Sequence, residues 1–244
     1  MKEFIYSRNA VYETLRAKRR QIFRLEIASG AQEKGRLLQI LELAEARKIP
    51  ILHAPREGLD KIHPGHQGVV LEASGYPYQN LADILDLAVG RGEPILVLIL
   101  DALQDPQNLG TLLRTAEAVG VHGALLPLAR AAGVTPAVVN ASSGASEHLL
   151  IAQANLSQAI SQLKEAGAWI IGLDQGPEGQ NPAQVRLDGP LAIVVGSEGE
   201  GLRPLIRSKC DLLLRLPMRG QVESLNAAVA GSIALYLASL QRAK

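Results

Sequence analysis

Ile95-Leu-Val-Leu-Ile-Leu100 is an apolar run without a polar interruption. A strand with one wet face alternates apolar and polar residues, whereas a strand of a parallel sheet, covered on both faces by helices, reads as continuous. Similar runs recur at Ala124–Pro127, Ala168–Leu173, Leu191–Val195 and Leu212–Leu216. Stretches with helical spacing lie between them, at Leu109–Val119, Pro136–Ser143, Leu156–Glu165 and Ser224–Leu240. Strands alternating with helices predict an α/β domain with a parallel sheet and helices on both faces, spanning residues 95–244.

Towards the N-terminus the pattern changes. Asn9–Arg19 reads as a helix, with Ser7 or Asn9 as N-cap and Ala10, Val11 and Leu15 on its apolar side. Phe23–Ile27 alternates at the strand period, and Arg36–Arg47 is helical through Leu37, Ile40, Leu41 and Ala44. Ile49–His53 and Gly68–Glu72 read as short strands, and this compact α/β pattern ends near Gly75. A turn-rich stretch, the helix-like Leu81–Ala88 and Gly90-Arg-Gly-Glu-Pro94 follow. The expected division is therefore a small domain at 1–75, a linker at 76–94 and the larger domain at 95–244.

Composition narrows the function. With 47% hydrophobic and 20% charged residues, the 244-residue chain can bury a full core and is not disordered. No apolar run has the roughly 18–20 residues of a membrane span, and the N-terminus has no apolar signal core. Cys210 is the single cysteine, which excludes an internal disulfide and a multi-cysteine metal site and fits a reducing cytoplasm. The five histidines show no metal-ligand spacing, so no metal is expected. The net charge of +1 is divided unevenly. Residues 1–75 hold 13 Lys/Arg against 9 Asp/Glu, leaving 12 against 15 for the rest. A basic front on a mildly acidic back suggests that polyanion binding is separated from another task.

Three polar, glycine-containing stretches follow strands of the larger domain, where α/β sheets form their sites. They are Asp101–Gly110 leading into Thr111–Gly120, Val195–Leu202, and Leu216–Ala230. Asn108 can cap or orient at the start of a helix. Arg114 sits among Leu112, Leu113 and Ala116 and needs an anionic partner there, either a ligand or Asp101 or Asp105. Gly196-Ser-Glu-Gly-Glu-Gly201 lets backbone pass close to a ligand. It matches neither dinucleotide nor P-loop fingerprint, and its two glutamates suit a neutral or cationic ligand. Ser224 can be the N-cap of the last helix or a site residue. No GxSxG or other Ser/His/Asp grouping is present.

Taken together, the three stretches resemble the signature motifs of the SpoU/TrmH family of RNA ribose 2'-O-methyltransferases, of the SPOUT class. The matches are Asp105-Pro-Gln-Asn108-Leu-Gly110 with Arg114-Thr-Ala116, then Val194-Val-Gly196-Ser-Glu198-Gly-Glu-Gly201-Leu, then Leu216-Pro-Met218 with Val222-Glu-Ser224-Leu-Asn226. Ile5–Leu15 and His66-Gln-Gly-Val-Val70 resemble the small L30e-like RNA-binding domain of the 23S rRNA guanosine 2'-O-methyltransferase subgroup, with Ser7 where a glycine is common. The resemblance implies a deep C-terminal trefoil knot, which ordinary topology rules argue against, a homodimer, and S-adenosylmethionine as cofactor. It places Gly196, Leu216 and Leu225 around the cofactor, with Met218 and Leu173 as neighbours. It makes Arg114 the principal catalytic residue, surrounded by Asn108, Glu198, Ser224 and Asn226. Arg8, Asn9, Arg16, Lys18, Arg19, Arg20 and His66 would grip the RNA, although Lys18–Arg20 reads equally as a solvated helix end. The rival readings are a tRNA ribose or antibiotic-resistance rRNA methyltransferase, a non-catalytic ribosome-assembly factor, and a metabolic α/β enzyme using a nucleotide cofactor.

Overall fold

The computed structural model describes residues 2–129 and 131–243, which pack into two compact units. The first comprises Met1–Pro77 and Val134–His148. In chain order it holds β1 (Lys2–Tyr6), α1 (Arg8–Ala17), β2 (Ile22–Ala28), α2 (Arg36–Ala46), β3 (Ile51–Ala54), α3 (Arg56–Asp60) and β4 (Val69–Ser74). Its sheet has the order β1-β4-β2-β3, with β2 and β3 parallel and the other pairs antiparallel. Ala10, Val11 and Leu15 of α1 and Leu37, Ile40 and Ala44 of α2 are fully buried, as their spacing requires.

Ser7 stands at the N-cap of α1 with φ of 74°, in the left-handed region that favours glycine. The turn into α1 therefore gives a backbone reason for a glycine at this position. Ser7 makes no side-chain cap bond.

The second unit comprises Tyr78–Gly133 and Leu149–Lys244. It runs α4 (Leu81–Arg91), β5 (Leu96–Leu100), α5 (Pro106–Ala118), β6 (Gly123–Pro127), β7 (Leu150–Ala154), α7 (Leu156–Glu165), β8 (Trp169–Leu173), β9 (Leu191–Val195), α8 (Pro204–Arg207), β10 (Leu212–Leu214) and α9 (Ala227–Arg242). The six strands are parallel in the order β10-β8-β9-β5-β6-β7. Every residue of β5 and β9 is buried, which explains their continuous apolar sequence. From β5 the chain winds outward through β6 to β7, then resumes on the other side with β8 and β9. The crevice beyond the carboxyl ends of β5 and β9 is thus a topological switch point, where such sheets bind ligands.

Two segments sit differently from the expected division at 1–75, 76–94 and 95–244. Helix α4 lies inside the expected linker, yet Leu81, Ile84 and Ala88 belong to the core of the second unit. Pro136–Ala141, here α6, was expected among the helices of the second domain but packs with the first unit, followed by a 3-10 turn at Ala145–Glu147. Arg20 holds it there. Its guanidinium is fully buried, 2.8 Å from Glu147 and 2.6 Å from Glu3. Burial opposes the charge of Arg20, but the two carboxylates outweigh it and raise its pKa.

Candidate active site

Asp101, fully buried, directly follows β5, and both its carboxylate oxygens bind Arg203: Oδ1 accepts from Nε at 2.6 Å and Oδ2 from the backbone N–H at 2.9 Å. This ties the loop after β5 to the loop after β9. Asp105 caps α5, accepting from the N–H groups of Gln107 and Asn108. Neither aspartate therefore needs Arg114 as its partner. Arg114 itself is exposed on α5, so the burial penalty that would demand an anion does not arise.

The loop after β9 folds back on itself. Ser197 and Gly201 exchange backbone hydrogen bonds at 3.0 and 3.1 Å, and a Cβ on Gly196 would lie 2.2 Å from the carbonyl carbon of Gly201. Only glycine fits at 196. The loop and the segment after β10 line one cavity of about 540 Å³, within the range of small-molecule sites. Its lining includes Leu173, Gly196, Glu198, Leu216, Leu225 and Asn226, together with Ser224, Glu200 and Asp174. Burial works against the charge of Asp174, but the bond from Arg207 at 2.7 Å and the N–H of Gly176 dominate and lower its pKa.

Three polar side chains meet at the edge of this cavity. Asn108 Nδ2 donates to Glu198 Oε1 at 2.8 Å, and Asn226 Nδ2 donates both to that oxygen and to Asn108 Oδ1, the latter at 3.1 Å. Asn226 Oδ1 accepts from the N–H groups of Ala228 and Val229, which caps α9 and fixes the direction of the amide. Ser224 is therefore not the cap: α9 starts three residues later than the sequence pattern suggested, and Ser224 lies in the preceding loop. A second cavity of about 350 Å³ lies against the same wall, lined by Ala102, Leu103, Gln104, Asp105, Asn108, Ser197, Glu198 and Glu200.

The model of the SpoU rRNA methylase family matches residues 95–236, and the model of the RNA 2'-O ribose methyltransferase substrate-binding family matches residues 4–79. The chain belongs to the SpoU rRNA methylase family. It is an RNA methyltransferase of that family. It is 42% identical over 238 residues to YacO of Bacillus subtilis (strain 168), a protein named for the TrmH family of tRNA/rRNA methyltransferases, covering 96% of this chain and 94% of that one. A Mycolicibacterium vanbaalenii protein named as an uncharacterized tRNA/rRNA methyltransferase is 39% identical, covering 98% and 77%. Among solved structures, the SpoU methyltransferase AviRb from Streptomyces viridochromogenes, in complex with the cofactor AdoMet, superimposes with a TM-score of 0.81 at 23% identity. That alignment covers 99% of this chain and 91% of AviRb, and at such identity it speaks to the fold.

Of the site residues named from the sequence of this family member, Leu173, Gly196, Glu198, Leu216, Ser224, Leu225 and Asn226 line the larger cavity, and Asn108 joins them through Glu198 and Asn226. Met218, partly buried, does not line it. Arg114 lines neither cavity. It lies six residues beyond Asn108, about 9 Å along the axis of α5.

The expected RNA contacts divide more sharply. Arg20 is spent on Glu147 and Glu3, and Arg19 donates to Tyr76 Oη at 3.1 Å and to the carbonyls of Glu147 and Pro77. His66 is fully buried, accepting from Gly68 N–H at Nδ1 and facing Asp60 at Nε2. These side chains hold the first unit together, which corrects their expected role. Asn9 and Arg16 are exposed, Arg16 beside Glu13 at 3.0 Å. Arg8 opens onto a cavity of about 570 Å³ lined also by Lys34, Arg56, Gln67 and the backbone of Gly30 and Gly68. Lys34 and Arg56 were not singled out in the sequence, because only the fold brings Arg8 at the start of α1, Lys34 before α2 and Arg56 at the start of α3 around one hollow.

Among the described residues no group of three or more His, Cys, Asp or Glu is arranged to hold a metal ion. No described helix is long and apolar enough to cross a membrane.

Proposed function

We propose that the chain transfers a methyl group from S-adenosylmethionine to a ribose 2'-hydroxyl of structured RNA, with a guanosine of 23S ribosomal RNA as its target. The observation that carries this reading is the meeting of the loops after β9 and β10 around one cavity, with Asn108, Glu198 and Asn226 joined at its edge. The cavity suits the cofactor chemically. Leu173, Leu216 and Leu225 offer apolar surface, Gly196 leaves backbone open to close approach, and Glu198 and Glu200 suit a ligand carrying positive charge, Asp174 being paired with Arg207.

S-adenosylmethionine supplies a methyl group on a positively charged sulfur. The task of the protein is alignment, since charge is neutralised rather than created along the path. The two asparagine amides fix the Glu198 carboxylate, so that the ribose hydroxyl meets a preset wall of acceptors and donors. An arginine keeps its proton in proteins and cannot serve as a base. Arg114 instead grips RNA phosphate or stabilises charge developing on the ribose oxygen. In the first unit, Arg8, Lys34 and Arg56 provide the anion-binding surface, to which Asn9 and Arg16 add.

A homodimer belongs to the same reading. Val229, Ile233, Tyr236 and Leu240 form an exposed apolar stripe along α9, of the kind that subunit contacts cover. So does the trefoil knot that the resemblance of the three motifs implies, with which the fold likeness to AviRb is consistent. A cytoplasmic site of action follows from the substrate. The names of the relatives leave tRNA as the second reading of the target.

Arg114→Ala tests the catalytic assignment. The variant should lose methyl transfer to unmodified rRNA transcripts while binding S-adenosylhomocysteine within a few-fold of the wild type, by calorimetry. Near-normal turnover would remove Arg114 from the mechanism.

A further inference from the structure

We propose that the smaller cavity receives the nucleoside to be methylated, and that Gln104 and Glu200 read its base. This rests on the reading of the larger cavity as the cofactor site. The two cavities share Ser197, Glu198 and Glu200 as a common wall. Asn108 lines only the smaller and Asn226 only the larger, and both bind Glu198 Oε1 between them. The two cavities therefore adjoin at the Glu198 wall, and direct displacement requires the ribose oxygen to reach past its edge to within about 3–3.5 Å of the methyl carbon, with no side chain between them.

The lining of the smaller cavity indicates which part of an RNA it can accept. It contains no Lys or Arg but has Asp105, Glu198 and Glu200, so phosphates are kept outside and only the uncharged base and ribose can enter. Its volume of about 350 Å³ suits one nucleoside and not a duplex step. The target must leave its stack to enter, as for enzymes that act on extruded bases, which favours nucleotides of loops and bulges.

Most polar groups of the cavity are already engaged. Asp105 caps α5, Asn108 and Glu198 bind one another, and Ser197 Oγ donates to the Gly201 carbonyl. Gln104 and Glu200 make no side-chain hydrogen bond or ion pair among the described residues. An amide offers donors and an acceptor, and an ionised carboxylate only acceptors, so the pair matches a base edge that presents N–H groups. The loop that carries Gln104 is held in place. Asp101 is anchored by Arg203, Leu103 is buried, and the Leu103 carbonyl accepts from Ala132 N–H at 3.0 Å. Between them Ala102 is in the left-handed region at φ 63°, a conformation that persists only where its surroundings impose it.

The experiment uses the full chain, labelled S-adenosylmethionine, and unmodified rRNA and tRNA transcripts, with the 2'-O-methylated nucleosides of the product separated and counted. Gln104→Ala should raise KM for RNA by roughly fivefold to tenfold, the loss of one hydrogen bond to substrate. It should also spread methylation over more than one nucleoside, while the affinity for S-adenosylhomocysteine stays unchanged. Glu200→Gln, which trades an acceptor for donors, should shift the nucleoside distribution further. Circular dichroism spectra matching the wild type establish that both variants are folded. If the wild type methylates and both variants leave KM and the nucleoside distribution unchanged, the base-reading proposal is wrong while the cofactor reading stands. If the wild type transfers no methyl group to any of these RNAs, the failure lies with the proposed function itself.

Discussion

Replacing Gly196 by alanine probes the loop proposed to hold the cofactor at the point where the backbone leaves no room. The new Cβ would sit 2.2 Å from the Gly201 carbonyl carbon and 2.3 Å from its oxygen, against 3.4 Å for an ordinary contact. Both neighbouring atoms are backbone, so no side-chain rotation relieves the clash, and the two arms of the loop must part by about 1.2 Å. The Ser197–Gly201 hydrogen bonds, 3.0 and 3.1 Å long, would then stretch beyond bonding distance. At about 0.5–1.5 kcal/mol each, their loss amounts to about 1–3 kcal/mol. If the cofactor binds only the closed loop, that penalty weakens S-adenosylhomocysteine about 5-fold to 150-fold. Calorimetry on Gly196→Ala measures it directly, with Gly220→Ala, whose Cβ would meet nothing within 4 Å, as the control. Wild-type affinity in a folded Gly196→Ala variant would refute the assignment of this loop to the cofactor.

Arg20→Ala should destabilise the first unit by about 3–5 kcal/mol, because it leaves the buried carboxylate of Glu147 unpaired. Thermal unfolding checks this, and a stable variant with weakened RNA binding would return Arg20 to the RNA surface. His122 is buried, its Nδ1 accepting from Leu96 N–H at 3.0 Å and its Nε2 facing Glu93 at 3.1 Å. The ring is thus neutral with its proton on Nε2. Burial lowers its pKa despite Glu93, so the native state takes up its proton at lower pH than the unfolded chain does. The stability that His122 contributes is therefore present above about pH 6.5 and lost as pH falls below it. Urea midpoints between pH 7.5 and 5.5 should fall for the wild type and less for His122→Gln; equal slopes would count against this. Ile233→Glu should convert a dimer to a monomer in sedimentation equilibrium, and a wild type that sediments as a monomer would contradict the dimer.

The parallel sheet was legible because β5 and β9 are covered on both faces and carry no polar residue. Of the four edge strands, β3 and β10 were read from the sequence and β1 and β7 were not. Lys2–Tyr6 begins with Lys2 and Glu3, and Leu150–Ala154 contains Gln153; each pairs on one side only, so its pattern need not be apolar throughout. The three stretches that line the two cavities stood out as motifs, yet the sequence offered Ser224 as the cap of α9 where the fold uses Asn226. Both types cap helices, and the choice depends on where the backbone turns helical. A basic run such as Lys18-Arg19-Arg20 resembles a surface patch. Whether Arg20 is buried is decided by Glu147, 127 residues away. Lys34 and Arg56 present the converse case, unremarkable in sequence and gathered beside Arg8 only by folding.

The central claim is that the cavity of Gly196, Leu216 and Leu225 delivers a methyl group to ribose beside Asn108, Glu198 and Asn226. Transfer of labelled methyl from S-adenosylmethionine to unmodified 23S rRNA transcript, followed by nuclease mapping and nucleoside separation, tests it most directly. The account predicts label at a single position, on a ribose 2'-oxygen, and on guanosine. Label on a base instead of ribose, or no transfer to rRNA or tRNA transcripts at all, would contradict it.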